Sequence, residues 1–239
     1  MRKVHLIGAI VGVLALAMSA VAVASDQFTQ EATTKLTKKK VGVSTGVKVD
    51  FSSADPGEPG GKPKRASKIV IKLANGTKVN TKAVAQCNLN DEDVIAGKCP
   101  AKSLVGTGTA KANVAPLIAS TTEDVKAYAA KGGLVLLLTD NEDDINLGST
   151  IVLRAKISKS GVITVNVPPL EAVPGVFAVL TDFNLSTRPK SKGKGKKKVN
   201  LITTPTTCKK KKGWVNQVTF SYADGSAKDV RKTKQACSK

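Results

Sequence analysis

From Val41 to Phe51 the side chains alternate without a break. Val41, Val43, Thr45, Val47, Val49 and Phe51 fall on one face of an extended chain, and Gly42, Ser44, Gly46, Lys48 and Asp50 on the other. Successive side chains of a strand point to opposite faces, so a period of two with one apolar face predicts a strand half-buried against a core. The period returns at Ile69, Ile71 and Leu73, where Asn75-Gly76 offers the positive-φ pair of a tight turn and predicts a hairpin whose return strand runs from Thr77 toward Cys87. It returns at Ile151–Ile157, which turns through Ser160-Gly161 into Ile163, Val165 and Val167 and stops at Pro168-Pro169. Phe177, Val179, Thr181, Phe183 and Leu185 share a face, the chain loops from Arg188 to Lys198, and Val199 to Thr204 returns. Trp214, Val218, Phe220 and Tyr222 open a last pair around Asp224-Gly225.

The run Leu134–Leu138 is continuously apolar, as in a strand covered on both faces, and is too short for a membrane span. Residues 52 to 66 carry three prolines and three glycines and read as a surface loop. Two short helices are expected. Asn90-Asp91-Glu92-Asp93 has helix-start chemistry, and Pro100 bars continuation. Ser120 stands three residues before Glu123 as in a capping box, which predicts a helix ending at Gly132-Gly133. Many short strands with little helix make an all-β chain, an antiparallel β-sandwich of immunoglobulin-like or jelly-roll-like type.

The first 24 residues read as a signal peptide: Arg2 and Lys3, an apolar run to Val23, and the small-x-small site Ala22-Val23-Ala24. Residues 25–239 then form one secreted domain, with a division into two β units near 115–135 as the alternative. In an oxidising compartment the four cysteines pair, and their spacing favours Cys87–Cys99 and Cys208–Cys237. No second apolar stretch approaches spanning length, so the mature chain is expected to have no membrane span, and an extracellular or cell-envelope location follows.

Cleavage before Ser25 also removes His5, the one histidine. A Ser-His-Asp or Cys-His centre cannot then be assembled, and no CxxC pair supports zinc. Ser191 and Lys194 match S-x-x-K in a glycine-lysine run where nothing would desolvate the lysine. Asp140, Glu142, Asp143 and Asp144 are the densest acidic cluster. Alternate carboxylates at Asp140, Glu142 and Asp144 are a weak calcium candidate, because Ile145 stands where an EF-hand loop needs glycine. Paired carboxylates there leave a histidine-free hydrolase as a remote alternative. No catalytic residue and no cofactor is assigned.

The formal charge is +20, and it falls to +18 once Arg2 and Lys3 leave with the signal. Lysine dominates: Lys190, Lys192, Lys194, Lys196, Lys197 and Lys198 form one run and Lys209, Lys210, Lys211 and Lys212 another, with no aromatic interleaved. Lysine favours diffuse attraction to phosphate or carboxylate polymers over bidentate recognition, and specific nucleic-acid binding is not expected. Read as loops joined by one strand, 188–198 and 207–213 should leave opposite ends of the sandwich. The plainer alternative is that dispersed lysines keep the protein soluble.

Cys99-Pro100 followed by Val105-Gly106-Thr107-Gly108-Thr109-Ala110, then Thr204-Pro205-Thr206-Thr207-Cys208 with Trp214, Phe220, Tyr222, Asp224 and Gly225, resembles an uncharacterised family of exported, β-rich proteins of actinobacterial type. The resemblance implies a secreted β fold and carries no activity, cofactor or site residue. The leading expectation is a secreted non-catalytic protein attaching to anionic cell-surface or wall polymers through its lysine loops. A structural or adhesive module that binds another extracellular protein is the alternative.

Overall fold

The computed structural model describes residues 27–141, 150–158, 160–209 and 213–239. The strands are β1 (Thr29–Leu36), β2 (Val47–Ala54), β3 (Ala66–Lys72), β4 (Lys78–Val79), β5 (Leu104–Val114), β6 (Ile118–Ala130), β7 (Gly133–Asp140) and β8 (Thr150–Ile157). They continue with β9 (Val162–Asn166), β10 (Leu170–Val173), β11 (Val176–Thr187), β12 (Ser191–Lys192), β13 (Val199–Asn200), β14 (Ile202–Thr203), β15 (Trp214–Tyr222) and β16 (Asp229–Gln235). Among the described residues one short α-helix, α1 (Asp91–Ile95), interrupts them. The fold is all-β and antiparallel, as the alternation predicts.

One sheet runs in the order β1-β2-β11-β5-β6-β7-β8-β9-β3-β15-β16, with β10 added on β11. Its halves pack face to face: Phe51 of β2 meets Phe220 of β15 edge-on at 5.4 Å, and Phe28 meets Tyr222 at 5.3 Å. The two end strands come together, but side chains rather than a backbone ladder join them. Gln235 of β16 accepts from the Leu36 amide at 2.9 Å and donates to the Leu36 carbonyl at 2.6 Å, so its amide imitates a strand partner. Thr233 Oγ1 accepts from Thr34 N at 3.1 Å, and Arg231 donates to the Gln30 carbonyl. Asn216 of β15, fully buried, donates to Thr34 O and accepts from Ala74 N.

Strand β7 is covered on both faces, as its apolar run predicts. Leu136 and Leu138 join the main core, while Val135 and Leu137 pack under α1 with Val94 and Cys87. Asn90 caps α1 by accepting from Asp93 N at 2.9 Å, and the Cys87–Cys99 bridge holds the loop over the sheet. Arg154 on the outward face of β8 bonds Asp91 and the Leu89 carbonyl.

Four sequence expectations are corrected. The capping box at Ser120 does not start a helix, because residues 118–130 are β6, laddered to β5 and β7. Two neighbouring strands satisfy its backbone groups, and the small alternating side chains of Val125, Ala127 and Ala129 fit the inner face. Strand β2 starts only at Val47. Before it, Gly42 at φ +67° turns the chain, and Val41 and Val43 bond Ser238 and Thr204 instead of a ladder. Asn75-Gly76 does turn, with Gly76 at φ +87°, but β3 pairs with β9 and β15, and the chain beyond the turn leaves the main sheet to pair β4 with β14. Strand β11 shifts register between Leu180 and Asp182, so Ala178 and Leu180, rather than Phe177 and Val179, continue the inward face of Phe183 and Leu185. The alternation also hid β1, whose only large apolar side chain is Leu36.

Candidate functional site: a basic end and an apolar interior

Every ladder in the main sheet is antiparallel, so strand order fixes which chain ends lie together. Seven antiparallel steps separate β11 from β15, which puts the C-terminal end of β11 beside the N-terminal end of β15. By the same count the C-terminal ends of β1, β3 and β16 lie there too. The expectation that 188–198 and 207–213 project from opposite ends is therefore corrected. The return segment 199–204 is not one strand but the two-residue pieces β13 and β14, which fold back across this end.

Cross-links knit the segments. Ser238 N donates to Lys39 O at 2.8 Å, Gly42 N to Pro205 O at 3.1 Å, and Leu201 N to Lys190 O at 2.8 Å. The Cys208–Cys237 bridge ties the second lysine loop to the end of β16. Both disulfides are thus those the spacing favours. Between Thr187 and Trp214 the sequence has eleven basic residues and no acidic one, and residues 37–46 have three and none. Lys38, Lys39, Lys40, Lys192, Lys194, Lys197, Lys198 and Lys209 are exposed, and among the described residues none of them forms a salt bridge. Lys190 is different: its ammonium donates to the Leu104 carbonyl and pins the first loop to β5. Lys210, Lys211 and Lys212 and the side chain of Lys196 lie outside the described residues. Mutual repulsion of these charges leaves the end a cationic field, strongest at low salt.

Although Asp91, Glu92 and Asp93 of α1 belong to the loop tied to the β6–β7 turn, on the basic side, several acidic groups lie toward the other end. Asp55, Glu58 and Asp224 occupy its loops, and Glu123 and Asp140 sit opposite each other where β6 and β7 reach it. Of the calcium candidate only Asp140 is among the described residues; Glu142, Asp143 and Asp144, like residues 1–24 with His5, lie outside them. Ser191 is exposed on β12 and Lys194 is exposed beside it. Near the acidic end Tyr222 donates to Asp229 Oδ2 at 2.7 Å. Burial, then that hydrogen bond and the charge of Asp229, push its phenol far above the usual range. Burial also raises Tyr128.

The sequence reading missed an apolar cavity of about 120 Å³ between the two halves of the sheet. Leu136 and Leu138 of β7, Leu153 of β8, Ile163 of β9, and Leu180 and Phe183 of β11 face it, and Leu201 and Ile202 close it toward the basic end. Among the described residues Arg65 is the one charged residue in its lining. No local sequence signal marks the cavity, because its wall is drawn from strands distant in the chain. No family model, no curated protein and no solved structure matches this chain.

Proposed function

We propose that this is a secreted, non-catalytic protein that attaches to anionic polymers of the cell surface or wall through its lysine-bearing end. The observation that carries the reading is the gathering of the two lysine loops and Lys38–Lys40 at one end of the sheet, with no acidic residue in those segments. Two disulfides suit an oxidising compartment, and among the described residues no helix is long and apolar enough to cross a membrane. Lysine ammoniums on flexible stems match repeating phosphates or carboxylates without demanding one geometry.

The test is binding of the disulfide-bonded protein to long-chain polyphosphate and to polygalacturonate across a salt series. Six or more ammonium–anion contacts should weaken binding by about a thousandfold between 50 and 200 mM salt, by analogy with counterion release from DNA. Replacing Lys38, Lys39, Lys40 and Lys209 by glutamine should flatten that dependence, whereas the same change at Lys111 and Lys126, on β5 and β6, should not. Equal effects from both sets would reduce the charge to a solubility device and overturn the reading.

A further inference from the structure

We propose that the interior cavity binds the alkyl chain of a free, single-chain anionic amphiphile of fatty-acid type, with its carboxylate held at Arg65. The cavity wall is apolar, yet several of its side chains are not packed away. Leu153, Ile163, Leu180 and Phe183 point inward and remain half-exposed, whereas Phe220 and Val218, core residues outside the cavity lining, are 1% exposed. Apolar side chains facing an accessible apolar space lack dispersion partners that an alkyl chain would supply.

The sheet has an opening that leads to this space. Strand β7 pairs with β8 from Thr150 to Lys156, but β8 pairs with β9 only from Ala155 to Ile157. Above that point Pro168 and Pro169 bring no amide hydrogen to the ladder, so β9 stops and the chain turns away toward β10. Leu153 stands on one side of the gap and Val167, Pro168 and Leu170 on the other, and all four border the cavity.

Arg65 stands just before β3, next to this gap, since Ser67 accepts from Val167 N. Its guanidinium lies 5.0 Å from the ring centre of Phe177 and forms no salt bridge among the described residues. It also borders a neighbouring surface recess shared with Lys62, Lys64, Glu58 and Asp224. A planar cation at the rim of an apolar space selects a carboxylate head over a neutral or cationic one. At about 120 Å³ the interior is slightly smaller than the engineered cavity of about 150 Å³ that admits benzene, so it takes the terminal part of a chain whose remainder fills the gap.

The experiment is calorimetric titration of the disulfide-bonded protein with hexanoate, octanoate and decanoate, with 1-decanol and decyltrimethylammonium as head-group controls. Expected is one saturable site for decanoate and about fourfold tighter binding per added methylene, the equivalent of about 0.8 kcal/mol each. Binding should carry a negative heat-capacity change. Arg65→Gln should weaken decanoate at least tenfold and leave 1-decanol unchanged. Because Arg65 is half-exposed, this variant is expected to fold, which its thermal transition checks. Lys209→Gln should change decanoate binding little, which separates the site from the basic end. No saturable decanoate binding, equal loss of decanoate and decanol on Arg65→Gln, or binding confined to phosphatidylglycerol vesicles would each overturn the proposal.

Discussion

Replacing Gln235 by leucine removes both hydrogen bonds that its amide makes to Leu36 while keeping a side chain of similar size. Leu36 is 2% exposed and Gln235 7%, so water cannot replace the amide without the seam opening. A buried backbone N–H and a buried C=O, each left unpaired, cost about 1–3 kcal/mol apiece. The added apolar burial of leucine offsets part of this, and the net loss should be about 2–4 kcal/mol. Against a total stability of about 5–15 kcal/mol this is readily seen as a lower urea midpoint with unchanged slope. Hydrogen exchange localises it: the Leu36 amide should lose protection, while amides of β6 and β7 change only as much as global stability does. Gln235→Glu sharpens the test. A protonated acid can both donate to the Leu36 carbonyl and accept from its amide, whereas a carboxylate cannot donate. Burial and the carbonyl raise its folded pKa above the unfolded value of about 4.3. The variant's stability should therefore approach that of the parent below about pH 4.3 and be lost as pH rises through the folded pKa. A Gln235→Leu loss below about 0.5 kcal/mol with Leu36 still protected would refute the claim that the seam depends on this side chain.

The remaining expectations are compact. Both tyrosines of the sequence have raised pKa values, so an alkaline absorbance titration should show less tyrosinate near pH 10 than two free tyrosines would give, until the protein unfolds. The tyrosines' contribution to stability should be fully present below about pH 10, the unfolded value, and be lost as pH rises above it; two tyrosines titrating normally in the folded protein would contradict this. A Cβ at Gly108 would lie 1.9 Å from Asn184 O and 2.9 Å from Leu185 Cα, both backbone atoms, so Gly108→Ala should cost about 3 kcal/mol or more in a denaturant melt. Changing Cys87 and Cys99 together to serine should cost about 3 kcal/mol and spare polyphosphate binding. Changing Cys208 and Cys237 together should cost about 3.6 kcal/mol and weaken that binding, because the second lysine loop loses its anchor.

What the sequence made legible was local. The run at Leu134–Leu138, the cap at Asn90, the Asp224-Gly225 turn and the cysteine pairing all rest on interactions between near neighbours. Strand β6 was misread because a capping box and a strand edge use the same residue types, and only the presence of β5 and β7 decides between them. Thr29–Leu36 carries no alternating apolar face to mark it, since Leu36 is its only large apolar side chain. The basic end and the cavity depend on the strand order β11-β5-β6-β7-β8-β9-β3-β15, which brings together residues that no window of sequence spans. Once that order is known, strand parity alone places the lysine loops.

The side-chain seam also governs how this molecule meets copies of itself. An uncovered edge strand is a template on which another chain can add by backbone pairing. Here the free groups of β1 at Gln30, Thr34 and Leu36 are taken by Arg231, Thr233, Asn216 and Gln235. Clearing those side chains would bare a recruiting edge before it melted the core. The damage from a loosened seam is then polymerisation, growing with protein concentration, ahead of any loss of the fold.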